Sequence, residues 1–302
     1  MEGSKMSKNS TQPRILFVTP EAAFMPEGGG NRTNFICANS GGFGDFPAEL
    51  ISDLYELGLD VHLAQPDFRK VFATSTRKEK SDASVKLPGD RVHLAEDRAI
   101  FYSKPINSNS GWENIKISLA FQREVINEII PRVQPDLIHC YDWMTGLIPA
   151  ASRKIEVPCL FTVQKFDTAR SFLTYVEDRG IDAAAFWQHL FYERYPTNYE
   201  ETRETNLADF LLSGVLAAHF VTTSRSAFLA SGGQNQSRFA KIPIWEVLVK
   251  KIDSGCAMVN QPQAKTQQYI EIYEKILQHA ILQPQAEKFH SPQDMIPYAL
   301  NA

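Results

Sequence analysis

Patterned cysteines are missing from this sequence. Its four cysteines, Cys37, Cys140, Cys159 and Cys256, form no Cys-x-x-Cys pair, so their spacing suggests neither a zinc site nor a disulfide framework. Free thiols suit a reducing compartment, and a cytoplasmic location is expected. No apolar run approaches the ~18 residues of a membrane span, so no membrane partner is expected. The basic residues are scattered and the net charge is −4, which argues against a nucleic-acid surface. The opening MEGSKMSKNSTQ lacks the apolar stretch of a signal peptide, and residues 1–13 read as a disordered leader. Two nucleotide signatures are absent as well: there is no Gly-Lys-(Ser/Thr) P-loop and no Gly-x-Gly-x-x-Gly fingerprint. No Gly-x-Ser-x-Gly elbow occurs, and the histidines show no metal spacing. Neither a metal nor a cofactor is expected.

What is present is ordinary globular material, 43% hydrophobic and 22% charged over 302 residues, with no internal repeats. Short apolar runs alternate with helical patterns. RILFVT (14–19), LDVHLA (59–64), DLIHC (136–140), PCLFTV (158–163) and HFVTT (219–223) read as strands, the last of these closing the sheet. Phe46, Leu50, Ile51, Leu54 and Leu57 share one helical face, with Pro47 in the first turn and Gly58 as C-terminal cap. Residues 68–116 are broken, with a strand expected at Ala99 to Tyr102. Ser118 is expected to cap a helix whose apolar face is Phe121, Val125, Ile126, Ile129 and Ile130. Residues 181–217 read as helices. The alternation predicts an α/β fold: a single doubly wound parallel-sheet domain over 14–230. Residues 231–262 read as a linker with a short helix, Lys241 to Ile252. In 263–302, Tyr269, Ile272, Tyr273, Ile276 and Ala280 form a stripe that predicts a C-terminal helix packed back on the same domain.

In an open parallel sheet, ligands bind outside the carboxyl ends of the strands. Three stretches fall there: Pro20 to Asp45, Tyr141 to Gly146, and Gln164-Lys165. Gly41 and Gly42 precede a helix, a place where backbone N–H groups and the helix dipole favour an anion, although a tight turn without ligand explains them equally well. Asp45 reads as an N-cap. Asp142-Trp143 suits a sugar, whose apolar face stacks on an indole while the carboxylate accepts hydroxyl hydrogen bonds. Core filling accounts for the Trp equally well. His139 reads as a satisfied core histidine. Trp187 and Phe191, at helical spacing, read as core rather than as anchors for a partner.

These stretches resemble, in order, the N-terminal Rossmann-like half of bacterial glycogen and starch synthases, retaining glucosyltransferases of the two-domain GT-B architecture. RILFVTPEAA resembles the first strand and its Ser/Thr-x-Glu turn, which brings in Glu21. SGGFGDFPAELISDLYELGLDVHLAQPDFR resembles the Lys-Thr-Gly-Gly-Leu-(Gly/Ala)-Asp loop, helix and second strand. QPDLIHCYDWMTGLIP resembles the His-x-(His/Asn)-Asp-Trp-x-Thr-Gly signature. CLFTVQK sits where the family has Thr-Ile-His-Asn, LADFLLSGVLAAHFVTTSRSAFL where the first domain closes, and QQYIEIYEKIL resembles the family's C-terminal helix.

The resemblance implies Glu21, Asp142, Trp143, Gln164 and Lys165 as substrate-binding positions, and Asn39, Ser40, Gly41, Gly42 and Asp45 as the relic of a phosphate loop. It also exposes departures. The donor-binding second domain is absent from this sequence. Asn39 or Glu27 stands where the loop has Lys, and neither pairs with a diphosphate. Gln164 stands at the family His and cannot titrate near neutral pH. Tyr141 precedes Asp142, and Ser224-Arg225-Ser226 replaces Val-Ser-Pro. No catalytic residue is therefore assigned. The expectation is a degenerate glucosyltransferase that binds α-glucan, such as glycogen, without stand-alone catalysis, and for which a nucleotide sugar is not expected without a second domain. Two alternatives stand beside it: the acceptor-side subunit of a split ADP- or UDP-glucose-dependent glucan synthase with a partner chain, and a remnant without function.

Overall fold

Arg14–Val18 (β1) is buried at four of its five positions because helices cover both faces of its sheet. Ile15 and Phe17 point into one helical layer, Leu16 and Val18 into the other. A strand covered on both sides reads as an unbroken apolar run. The structure, a computed structural model, describes residues 12–20, 45–68, 87–101, 111–225, 244–260 and 266–282.

The elements that follow are α1 (Asp45–Glu56), β2 (Asp60–Pro66), β3 (Val92–Ala95), α2 (Arg98–Phe101), α3 (Gly111–Glu124), α4 (Ile130–Val133), β4 (Leu137–Tyr141), α5 (Ile148–Lys154) and β5 (Cys159–Val163). After them come β6 (Arg170–Ser171), α6 (Leu173–Asp178), α7 (Tyr199–Thr205), β7 (Ala208–Asp209), α8 (Phe210–Ala217), β8 (Phe220–Ser224), α9 (Ile244–Asp253), β9 (Ala257–Asn260) and α10 (Thr266–Leu282). Seven strands make one parallel sheet in the order β3-β2-β1-β4-β5-β8-β9, and β6 and β7 form a small antiparallel pair outside it. The winding reverses between β1 and β4, the switch point of a doubly wound sheet.

The helices α1 and α10 cover one face, through Leu50, Ile51, Leu54, Tyr269, Ile272, Tyr273 and Ile276. The other face lies under α3, α8 and α9, through Ile117, Phe121, Leu211, Val215, Val247 and Leu248. Gly58, at φ +85°, closes α1 in the left-handed conformation that favours glycine, donating its N–H to the Tyr55 carbonyl at 2.9 Å. Leu57, expected on the buried face of α1, lies beyond its last turn and is exposed. Phe191 is core, and Trp187 packs on Tyr199.

A polar wire runs through the α10 face. The Tyr273 hydroxyl meets His139 Nδ1 at 2.9 Å, His139 Nε2 meets Thr162 Oγ1 at 2.7 Å, and Thr162 meets Thr222 at 2.6 Å. His139 is thus a satisfied core histidine, as read from sequence.

Several elements differ from the sequence expectation. Ala99 to Phe101 lie in α2 rather than a strand, because the Asp97 carboxylate accepts the Ala99 N–H at 2.6 Å and starts a helical turn; Tyr102 is outside the described residues. Ser118 is not a cap. The helix begins seven residues earlier, at Gly111, and the buried Ser118 hydroxyl donates to the Met144 carbonyl. Residues 181–217 hold short turns and two short helices, with β7 set between the helices by its pairing with β6. The strand at β8 is not the last: β9 adds a seventh, its register set by pairing with Val221 to Ser224.

Acid is expected to unfold this protein early. Burial lowers the pKa of His139 well below the usual value, that of His219 to about 3 and that of His93 to about 4, with His62 and His189 shifted the same way. Imidazoles that stay neutral in the fold but protonate in the open chain stabilise it fully above about pH 6.5, the unfolded value. That contribution is lost as the pH falls from 6.5 toward 4. Each fully buried histidine adds a slope of up to about 1.4 kcal/mol per pH unit. Denaturant midpoints measured from pH 7.5 to 4.5 check this; a flat profile below 6.5 would contradict it.

Candidate functional site

Three strand ends converge at the switch point. Thr19 and Pro20 leave β1, Tyr141 to Met144 end β4, and Gln164 and Lys165 leave β5; with Asn114 and Ile115 of α3 they line a cleft of about 400 Å³. Four of the residues singled out from sequence, Asp142, Trp143, Gln164 and Lys165, therefore come together. Glu21, Asn39, Ser40, Gly41 and Gly42, and Glu27 with them, lie outside the described residues. Asp45 is the first residue of α1, and its side chain is not among the described parts.

Asp142 breaks the strand. Its backbone adopts φ +56°, a conformation L-residues rarely hold, and its N–H still donates to the Thr162 carbonyl at 3.0 Å. Its Oδ1 accepts the N–H groups of Gln164 at 2.7 Å and Lys165 at 3.0 Å. The carboxylate thus fastens the turn after β4 to the turn after β5, so one of its oxygens is engaged before any ligand arrives. The Thr145 hydroxyl donates to the Tyr141 carbonyl at 2.9 Å and closes the same turn.

Trp143 is half-buried. Its indole packs at 6.5 Å from the Phe210 ring, tilted by 34°, and the residue also lines the cleft. It serves both as packing and as cleft wall. Gly146 explains its own place in the signature. A Cβ there would lie 2.0 Å from the Phe210 carbonyl oxygen, at the start of α8, so only glycine fits. The far wall is anchored by Asp209, which caps α8 through the Leu212 N–H at 3.0 Å. Asp209 also accepts Thr168 Oγ1 at 2.6 Å and Arg170 Nε at 3.0 Å.

Two side chains were not singled out as binding positions from sequence. The hydroxyl of Tyr141, a residue of the cleft lining, is buried with no hydrogen-bond partner among the described residues, and burial pushes its pKa up. Gln65, on β2, likewise holds both side-chain amide atoms buried and unpartnered among the described residues. Val18 pairs with Ala64 on one side and Cys140 on the other, so Gln65 and Tyr141 flank Thr19 in the next row of the sheet. Only the assembled register brings them together. Tyr141 as a strand-end hydroxyl was a visible signal; Gln65 inside LDVHLAQP gave none.

Chemically, the cleft wall carries an indole (Trp143), two amides (Asn114 and Gln164), an ammonium group (Lys165) and two carboxylates (Asp142 and Asp167). No histidine is among its described lining residues, since His139 lies beneath α10. The described lining therefore lacks the side chain that ordinarily titrates near neutral pH. Among the described residues no cluster of His, Cys, Asp or Glu could hold a metal ion, and no helix is long and apolar enough to cross a membrane.

Comparison with known proteins gives consistent matches. A family model for the starch synthase catalytic domain matches residues 14–228. A glycogen synthase of Cellvibrio japonicus is 28% identical over 236 residues, covering 69% of this chain and 44% of that protein. Glycogen synthase 2 of Geobacter sulfurreducens is 30% identical over 139 residues, covering 38% of this chain and 28% of that protein. Among solved structures, the catalytic domain of starch synthase IV from Arabidopsis thaliana, bound to ADP and acarbose, superposes with a TM-score of 0.56 at 14% identity, over 83% of this chain and 52% of that one. That likeness concerns the fold. The chain spans less than half the length of these two curated relatives.

Proposed function

The chain belongs to the starch synthase catalytic-domain family, and from that membership we propose that its cleft binds α-glucan and that it transfers no glucosyl unit by itself. The observation that carries this reading is the cleft wall. Trp143 and Gln164 both line the cleft at the strand ends, while the one carboxylate of the signature, Asp142, is tied to two backbone N–H groups. An indole with an amide beside it can stack on and hydrogen-bond a pyranose. Gln164, at the position where the family resemblance places a histidine, supplies no titrating group. In this reading a nucleotide-sugar donor would be met by the part of the relatives' length that these residues do not span. Cys140 and Cys159 are free thiols, the Cys159 Sγ donating to the Cys140 Sγ at 3.9 Å, and in this reading the setting is reducing and cytoplasmic.

The test is affinity electrophoresis through gels with and without glycogen, alongside a glucosyl-incorporation assay with ADP-glucose and UDP-glucose. Retardation by glycogen is expected, and Trp143→Ala is expected to abolish most of it. Because Trp143 also packs on Phe210, its melting temperature must be read with the result, and Gln164→Ala serves as the milder variant. An unretarded wild-type chain would refute glucan binding; clear turnover by the chain alone would refute the claim of no transfer.

A further inference from the structure

An aromatic ledge adjoins the cleft. Trp112, the second residue of α3, is 50% exposed, and its ring lies against Tyr175 of α6 with centroids 4.5 Å apart and planes inclined by 32°. A cation lies over each ring. Lys116 Nζ sits 5.8 Å from the Trp112 ring, and the Arg179 guanidinium sits 4.8 Å from the Tyr175 ring while donating to its hydroxyl at 2.7 Å. The ledge continues the cleft, since Gly111, Asn114 and Ile115, on the same turns of α3 as Trp112, line it. On the opposite strand of loop, Thr168 and Ala169 of the cleft lead through β6 to Phe172, itself 40% exposed.

Exposed large aromatics that cluster beside a cavity mark a binding surface. Here a half-exposed indole stands with two N–H donors, Lys116 over the Trp112 ring and Arg179 over the Tyr175 ring. A pyranose presents the same two chemistries, an apolar C–H face and a ring of hydroxyls. We propose that Trp112 and Tyr175 form a second saccharide subsite, which holds the part of an α-glucan chain that emerges from the cleft. This rests on the glucan reading of the cleft and adds to it a dependence on chain length.

The experiment compares maltotriose, maltoheptaose and glycogen as probes against the wild-type chain, Trp112→Ala and Trp112→Phe. Trp112→Ala is expected to weaken maltoheptaose and glycogen binding by roughly three- to tenfold, the scale of one aromatic contact. Maltotriose affinity is expected to stay unchanged, and Trp112→Phe to restore most of the loss. Should Trp112→Ala fail to fold, Lys116→Ala probes the same ledge from its rim, with a smaller, equally length-dependent loss. If long and short glucans bind Trp112→Ala as they bind wild type, the ledge is overturned while the cleft reading stands; the same holds if only a co-purifying protein is lost. If the wild-type chain binds none of the three, the cleft reading fails and this inference fails with it.

Discussion

A chain ended at Gln261 is expected to aggregate on refolding and to bind a hydrophobic dye. The cut removes α10, and with it Tyr269, Ile272, Tyr273 and Ile276, all buried against the sheet. Phe17, His139 and Tyr141 would lose their cover. The His139 ring packs 5.7 Å from Tyr269 and 5.9 Å from Tyr273, so two aromatic neighbours and one hydrogen bond leave together. A bare apolar face of this kind promotes association. The single substitution Tyr273→Phe isolates the polar part. It keeps the ring and strands His139 Nδ1 in the core, at a cost of about 1–3 kcal/mol. Sedimentation and thermal melting check both variants. A truncated chain that stays soluble and melts at the wild-type temperature would show that α10 contributes nothing to the core.

The second large effect is steric. Gly146→Ala is expected to cost about 3 kcal/mol, the upper range for overpacking a tight site. For a domain of this size that lowers the melting temperature by roughly 10 °C. Its backbone angle, φ −68°, suits any residue, so strain is not the reason. The obstacle is the Phe210 carbonyl, whose oxygen and carbon would lie 2.0 and 2.6 Å from the new Cβ. Backbone cannot rotate aside as a side chain can, so α8 must move away from the turn that carries Asp142 and Trp143. Glycogen retardation should fall together with stability. A melting temperature within a degree of wild type would mean that α8 yields at little cost.

Much of the frame was legible because burial on both faces leaves a plain trace. β1, β4 and β5 are apolar without alternation, and the α10 stripe and the Gly58 cap each follow a simple rule. The strand ends that make the cleft were legible for the same reason, once the doubly wound order was inferred. What stayed hidden depends on partners far along the chain. β9 is four residues, and only pairing with β8 makes it a strand. Ser118 is a good cap by type, but Met144 supplies its acceptor from 26 residues away. Asp142 could be read as a free carboxylate at a strand end; its bonds to the β5 turn appear only when β4 and β5 lie side by side. Gln65 looks like an ordinary strand residue until the register sets it beside Thr19.

The wire from Tyr273 to His139 joins residues 134 positions apart. During synthesis, β4 emerges well before the helix that will cover it. At cellular translation rates that interval is on the order of 10 s, long compared with the collapse of a chain this size. Throughout it the nascent chain carries an uncovered aromatic face, so the protein's yield in a cell should depend on how well holdase chaperones occupy that face until α10 leaves the ribosome.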